Sequence, residues 1–113
     1  MIEVSELDFD NEVLGCKLPV FACFTAKWCH PCFPTCLIAD QLVNEYDGRV
    51  KFVMINIDTE RNKAIIDKYH VIVVPTILLF HNAQLVKKLV GFQDRSSLRK
   101  LLNGVKERNE TYL

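Results

Sequence analysis

The 113-residue sequence lacks the features that would place it in several classes of protein. It has no charge excess, because 14 Lys and Arg residues balance 14 Asp and Glu residues. The clustered positive charge that nucleic acids and anionic membranes require is therefore missing, so we expect no partner of either kind. No apolar run approaches the roughly 20 residues of a membrane span. No repeat, low-complexity stretch or interdomain linker interrupts the chain, and we expect one domain over residues 1–113.

The N-terminus lacks the pattern of a secretory signal. Residues 1–6 (MIEVSE) carry acidic side chains where a signal peptide has basic ones, and no long apolar segment follows. The sequence therefore predicts a cytoplasmic protein.

Strands and helices alternate in the remaining pattern, which is half hydrophobic, as in a globular domain. The apolar run at residues 19–25 (PVFACFT) is typical of a strand buried on both faces. The predicted elements are an edge strand at 2–4, a helix at 7–14 closed by Gly15, a strand at 19–25, a helix at 32–46 stopped by Gly48, a strand at 50–57, a helix capped by Thr59 and running to residue 69, an antiparallel hairpin of 76–80 and 85–90, and a last helix introduced by Asp94 or Ser96. This order, β-α-β-α-β-α-β-β-α, predicts an α/β fold with a central mixed β-sheet flanked by helices.

Five cysteines occur in the first third of the chain. An odd number cannot all pair within one chain, and a domain of this size does not need disulfides to fold. The last three form the cluster Cys-x-x-Cys-x-x-x-Cys, which points to redox chemistry or to metal binding. The five are Cys16, Cys23, Cys29, Cys32 and Cys36.

The motif Trp-Cys-His-Pro-Cys at residues 28–32 lies between the buried strand and the next helix. Cys29 falls at the helix start, where unpaired N–H groups and the helix dipole favour a thiolate. Pro31 suits the first helical turn, where no N–H is needed. We expect Cys29 to be open to solvent, and Cys32 to resolve a mixed disulfide from inside the helix.

Four segments give the chain a resemblance to the thioredoxin family over nearly its whole length. They are residues 26–32 (AKWCHPC), 55–58 (INID), 69–76 (YHVIVVPT) and 90–91 (VG), which match that family in type and order.

The resemblance implies a role for each matching residue. Cys29 would be the nucleophile and Cys32 the resolving cysteine, with Pro31 and a cis-proline at Pro75 tuning the pair. The Val74 backbone would pair with a substrate peptide as an added strand. The groove that holds this peptide would be lined by Trp28, Val74, Pro75, Thr76 and Gly91.

The resemblance also implies an activity and partners. The chain would be a monomeric protein-disulfide reductase that acts on disulfide-containing proteins and binds no cofactor itself. A flavoprotein of the thioredoxin reductase type would supply its electrons, and such a cytosolic pool would keep the pair reduced.

Two departures from the family pattern affect the chemistry. His30 stands where thioredoxins have Gly, and a protonated imidazole there would stabilise the Cys29 thiolate and raise the reduction potential. This gives an alternative function, a disulfide oxidase or isomerase. Cys23 and Met54 stand where the family has a buried Asp and a nearby Lys, so the usual proton relay to Cys32 is missing.

The other cysteines have simpler interpretations. Cys23 is expected to be a small core residue. Cys36 lies one helical turn beyond Cys32, about 5–6 Å away between Cβ atoms, which is too far for an unstrained disulfide. We therefore expect Cys36 to pack in the core, and Cys16 to be a partly exposed free thiol.

Two further alternatives remain at this point. A metal site could use Cys29, Cys32, Cys36 and His30, but no second Cys/His pair is present elsewhere, so we expect no metal. A binding module of the same fold without catalysis usually lacks one or both motif cysteines, and both are present here.

Overall fold

The structure, a computed structural model, describes residues 1–111 and the side chains of residues 1–105. Its elements follow the predicted order. They are β1 (Ile2–Glu3), α1 (Glu6–Phe9, continued by a wider π turn over Asp10–Leu14), β2 (Val20–Thr25), α2 (Cys32–Val43), β3 (Lys51–Asn56), a short 3-10 turn (Glu60–Asn62), α3 (Lys63–Lys68), β4 (Thr76–His81), β5 (Gln84–Val90) and α4 (Arg95–Thr111). The extent of the domain to residue 113 stays a prediction, because residues 112–113 lie outside the described part.

The five strands form one mixed sheet in the order β1-β3-β2-β4-β5. β3 runs parallel to both β1 and β2, whereas β4 runs antiparallel to β2 and to β5. The predicted mixed sheet flanked by helices is thus confirmed. β2 lies in the middle, and five of its six residues are buried because helices cover both faces of the sheet.

The side chains of β2 alternate between two cores. Val20, Ala22 and Phe24 pack on the face that carries α1 and α3. Phe21 and Cys23 pack on the opposite face, against residues of α2 and α4. This alternation places the thiol of Cys23 directly beneath the helix that begins at Cys32.

Most predicted element ends lie within one residue of the structure, and the larger differences are at the end of α2 and the start of α3. α2 ends at Val43 rather than at residue 46, although the Tyr46 N–H still donates to the Leu42 carbonyl at 3.2 Å. The side chain of Thr59 makes no capping hydrogen bond, because a 3-10 turn intervenes before α3 begins. Thr59 thus occupies the predicted N-cap position, ahead of the 3-10 turn, but without a side-chain bond. Buried Asn62 organises this corner by donating to the Asn56 carbonyl at 2.8 Å.

The hairpin and the last helix begin where the sequence predicts. Asn82 and Ala83 connect β4 to β5, and both have positive φ (54° and 65°), as a tight hairpin turn of the primed type requires. Asp94 caps α4 by accepting the Ser97 N–H at 2.9 Å. Within residues 1–111, none of the helices combines the length and the apolar character that crossing a bilayer demands.

Candidate active site

Cys29 and Cys32 form a disulfide at the junction between β2 and α2, with their Cα atoms 5.3 Å apart. Cys32 is the first residue of α2, and Pro31 directly precedes it. The Cys32 N–H, one of the unpaired donors of the helix start, points at the Cys29 sulfur at 3.2 Å. A donor in this position stabilises negative charge on Cys29 when the bond opens.

Both cysteines of the disulfide are nearly buried, each with 3% of its surface exposed. The expectation that Cys29 is open to solvent is therefore wrong. Ala26 and Val74 pack around the pair, and the Val74 carbonyl oxygen lies 3.5 Å from the Cys29 sulfur. A partner reaches this sulfur only by a narrow approach.

The loop before β4 faces the disulfide, as the resemblance implies. The Val74–Pro75 peptide bond is cis, and Pro75 is buried. The Pro75 carbonyl accepts the Gly91 N–H at 2.8 Å, which holds Gly91 (φ 86°) beside this loop. Val74 and Gly91 are both partly exposed.

Thr76 does not belong to the exposed groove. It is 1% exposed, and its hydroxyl donates to the Val73 carbonyl. The assignment of Thr76 as a groove residue is thus wrong, because this side chain closes the turn around Pro75 from inside.

Trp28 stands at the surface beside the disulfide, with 63% of its area exposed. Its indole N–H donates to a carboxylate oxygen of Asp58 at 2.8 Å. The Asp58 N–H in turn donates to the Asn56 side chain at 2.9 Å. Asp58 therefore fixes the orientation of an exposed aromatic ring, a role that the sequence reasoning missed.

Exposed apolar side chains adjoin the motif residues along the chain. Ile72 is 89% exposed, and Phe33, Val73 and Phe92 are each about half exposed or more. The sequence reasoning did not single them out, although each lies within two residues of a predicted site residue. An apolar surface of this kind next to a reactive group suits contact with another protein.

A buried threonine joins α2 to the loop after β5. Thr35 is fully buried, and its hydroxyl accepts the Gln93 N–H at 3.1 Å and donates to the Gln93 carbonyl at 3.4 Å. We call this pair of contacts the Thr35–Gln93 link. It attaches the segment that carries Gly91 to the helix that carries Cys32.

His30 is exposed and lies between the two cysteines of the disulfide, and its side chain makes no hydrogen bond to the Cys29 sulfur. Within the described residues, the polar contacts of the Cys29 sulfur outside the disulfide are the Cys32 N–H and the Val74 carbonyl. The structure therefore gives no support to the redox-tuning role of His30. Pro31 is also exposed, between His30 and the helix.

A pocket of about 250 Å³ opens beside the disulfide, and Cys36 lines it together with both disulfide cysteines. Cys36 is partly buried and packs against the core, as predicted, but it is also accessible from this pocket. Cys23 is fully buried, as predicted. The two sulfurs lie 3.7 Å apart. The sequence reasoning missed this contact.

The contact between Cys23 and Cys36 shifts the pKa values of the two thiols in opposite directions. The hydrogen bond from Cys23 lowers the pKa of Cys36 to about 7, with help from the Thr25 hydroxyl and the N-terminal amine. Burial and the Asp40 carboxylate oppose this shift. The same hydrogen bond, together with burial, raises the pKa of Cys23.

Two further expectations concern Cys16 and metal binding. Cys16 is partly buried and packs against the core on the far face of the sheet. Across the described residues, no three His, Cys, Asp or Glu side chains are grouped so that they could hold a metal ion.

Comparison with known proteins agrees with this geometry. The family model for thioredoxin matches residues 1–104. The chain belongs to the thioredoxin family. Relatives include the thioredoxin of Rickettsia felis, 37% identical over 100 residues that cover 88% of this chain and 93% of that protein. The thioredoxin of Synechocystis sp. is 34% identical over 88% of this chain and 92% of its own.

A third relative extends the match slightly. The thioredoxin of Haemophilus influenzae is 32% identical over 103 residues, which cover 91% of this chain and 94% of that protein. Thioredoxin-family membership and the paired Cys29 and Cys32 together identify the chain as a thiol–disulfide oxidoreductase with a redox-active disulfide.

Proposed function

We propose that the protein is a protein-disulfide reductase in which Cys29 attacks and Cys32 resolves. The observation that carries this proposal is the Cys32 N–H, which points at the Cys29 sulfur from 3.2 Å. A thiolate is the attacking species in disulfide exchange, and this donor favours it on Cys29 rather than on Cys32.

The proposed reaction starts from the reduced pair. The Cys29 thiolate attacks one sulfur of a substrate disulfide, and the other substrate sulfur leaves as a thiolate that takes up a proton. Cys32 then loses its proton and attacks the Cys29 sulfur, which releases the second substrate thiol and closes the Cys29–Cys32 disulfide. Two electrons pass from the protein to the substrate.

The low exposure of Cys29 supports a substrate that is itself a protein. Because only 3% of Cys29 is exposed, a partner gains most of its contact area from neighbouring side chains. Exposed Trp28 and partly exposed Val74 and Gly91 would line the groove, with Ile72 and Val73 as an added apolar margin. The Val74 backbone would pair with an extended segment of the substrate.

Membership of the thioredoxin family supports a proposal for the partners and the location. We propose a flavoprotein of the thioredoxin reductase type as electron donor, a cytoplasmic location and a monomeric chain without its own cofactor. The oxidase or isomerase alternative rested on His30, which does not contact the Cys29 sulfur, and we do not propose it.

Insulin reduction with dithiothreitol as electron source tests this proposal. We expect the wild type to accelerate precipitation of the insulin B chain, and Cys29→Ser to fall to the uncatalysed rate because the nucleophile is gone. Cys16→Ser is the matched control, since this thiol packs on the far face of the sheet.

Other outcomes of this assay are equally informative. No acceleration by the folded wild type would favour a non-catalytic binding module instead. A second arm replaces dithiothreitol with NADPH and thioredoxin reductase, and failure of that arm alone would contradict only the proposed electron donor.

A further inference from the structure

The second pair of sulfurs, Cys23 and Cys36, lies in contact beneath the disulfide. The two sulfur atoms are 3.7 Å apart, and both are free thiols. Cys23 comes from the central strand β2 and Cys36 from the middle of α2, so the contact joins sheet and helix. Disulfide formation needs sulfur atoms that can approach to about 2.0 Å, and side-chain rotation can supply the remaining movement.

The two thiols differ in access. Cys23 has no exposed surface, whereas Cys36 is partly exposed and lines the pocket of about 250 Å³. An agent that enters this pocket therefore meets Cys36 first. Because Cys23 is fully buried, it can react only with a neighbouring cysteine of the same chain that has already been oxidised.

The pocket also limits the size and polarity of that agent. Most of its lining is apolar, with Ala26, Phe33 and Met54 among the residues. A small organic hydroperoxide fits such a space, whereas a peptide disulfide is too bulky for it.

We propose that Cys23 and Cys36 form a second redox site, in which Cys36 reduces a small hydroperoxide and Cys23 resolves the product into a second disulfide. This inference goes beyond the proposed function and does not depend on it, because neither cysteine takes part in the reduction of protein disulfides described above.

The proposed reaction balances in two steps. The Cys36 thiolate attacks the terminal oxygen of the hydroperoxide, its O–O bond breaks, and the alcohol leaves after taking up a proton, so that Cys36 becomes a sulfenic acid. The Cys23 thiol then attacks the Cys36 sulfur and expels water, which forms the Cys23–Cys36 disulfide. The hydroperoxide is reduced by two electrons, and the thiol pair is oxidised by two.

The surroundings of Cys36 suit the first step. The hydrogen bond from Cys23 lowers its pKa to about 7, so a large share is thiolate at neutral pH. Thr25 and the N-terminal amine act in the same direction, while Asp40 opposes them and is itself paired with that amine at 2.6 Å.

Trypsin digestion followed by fragmentation of the peptides identifies the product. Cleavage after Lys17, Lys27 and Arg49 places Cys23 in peptide 18–27 and Cys16 in an earlier peptide. Cys36 falls in peptide 28–49 together with Cys29 and Cys32, so fragmentation of the linked peptides assigns the bond to one of the three cysteines. The protein with its Cys29–Cys32 disulfide closed is treated with tert-butyl hydroperoxide, alkylated and digested. We expect two thiols to be lost, peptides 18–27 and 28–49 to become linked, and Cys16 to remain alkylated.

Variants separate the two roles. Cys36→Ser should abolish both thiol loss and the link, whereas Cys23→Ser should leave a Cys36 sulfenic acid that dimedone traps. Cys16→Ser is the matched control and should form the link at the wild-type rate. The wild-type result stands even if a variant fails to fold.

Three results would overturn the inference. One is a wild-type protein in which Cys36 stays a sulfenic acid, or is oxidised further, without linking to Cys23. The second is oxidation of Cys16 as fast as that of Cys36, and the third is a link that persists in Cys36→Ser.

Discussion

The two cysteine pairs differ in how the chain brings their sulfur atoms together. Cys29 and Cys32 are three residues apart and meet because the chain enters a helix between them. Cys23 and Cys36 are 13 residues apart and meet because β2 and α2 pack against each other. The first pair is therefore a product of local structure, and the second is a product of tertiary packing.

The same difference governs the chemistry of the sulfurs. The Cys29 sulfur receives a backbone N–H that belongs to the helix start and survives most side-chain substitutions. The Cys36 sulfur owes its lowered pKa mainly to the side chain of Cys23, with smaller contributions from Thr25 and the N-terminal amine. Removing one thiol of the second pair therefore also removes the activation of the other, whereas the N–H that points at Cys29 belongs to the backbone and remains when the Cys32 thiol is replaced.

The largest expected difference is in the rate of insulin reduction, between the variants Cys32→Ser and Cys36→Ser. Without Cys32 the mixed disulfide cannot resolve, so turnover in insulin reduction should fall by more than about a thousandfold. A covalent complex of Cys29 with the substrate should accumulate and be visible by mass spectrometry. Cys36→Ser should turn over at close to the wild-type rate; an equal loss in both variants would contradict the separation of the two pairs.

A smaller effect is expected in the rate at which Cys36 is alkylated as the pH changes. Its pKa lies below the ordinary value of 9, at about 7, so the thiolate is present above neutral pH and is lost as the pH falls. With the active disulfide closed, alkylation of Cys36 by iodoacetamide should rise about tenfold between pH 6 and pH 8. Peptide mass spectrometry measures this rate, with Cys16 in the same sample as a reference.

The variant Cys23→Ala sharpens that test. Loss of the hydrogen bond should move the pKa of Cys36 upward and slow its alkylation at pH 7 by at least about fivefold. An unchanged profile would show that Cys23 does not activate Cys36.

The smallest expected effect is that of His30→Gly. Because the imidazole does not contact the Cys29 sulfur, the reduction potential should change by less than about 10 mV. Equilibration with glutathione measures it. A shift of about 30 mV, a tenfold change in the equilibrium constant, would restore the tuning role expected from the sequence.

The fold was largely predictable because its signals are local. The buried run of β2 and the amphipathic pattern of α4 each follow from a short stretch of sequence. Thr59 lies at the N-cap position but makes no side-chain bond, whereas Asn62 accepts the distant Glu6 N–H and organises that corner. No pattern within one element reveals such a contact.

The features of the candidate site also divide into those that a short stretch of sequence predicts and those that depend on distant residues. The spacing of Cys29 and Cys32 and their place at a helix start could be read directly. The exposure of Cys29 could not, because Val74 covers it from a loop 45 residues away. The Cys23–Cys36 contact was missed because a neighbour of Cys36 was sought along its own helix, whereas it lies on the strand below.

The Thr35–Gln93 link gives the groove a mechanical property. One hydroxyl bonds both backbone groups of Gln93, so the wall around Gly91 and the helix behind Cys32 are expected to shift as a single body. Pressure from a docked partner on that wall would therefore reach the resolving sulfur through a rigid connection. Widening the groove for a bulkier partner would have to begin at a residue outside this link.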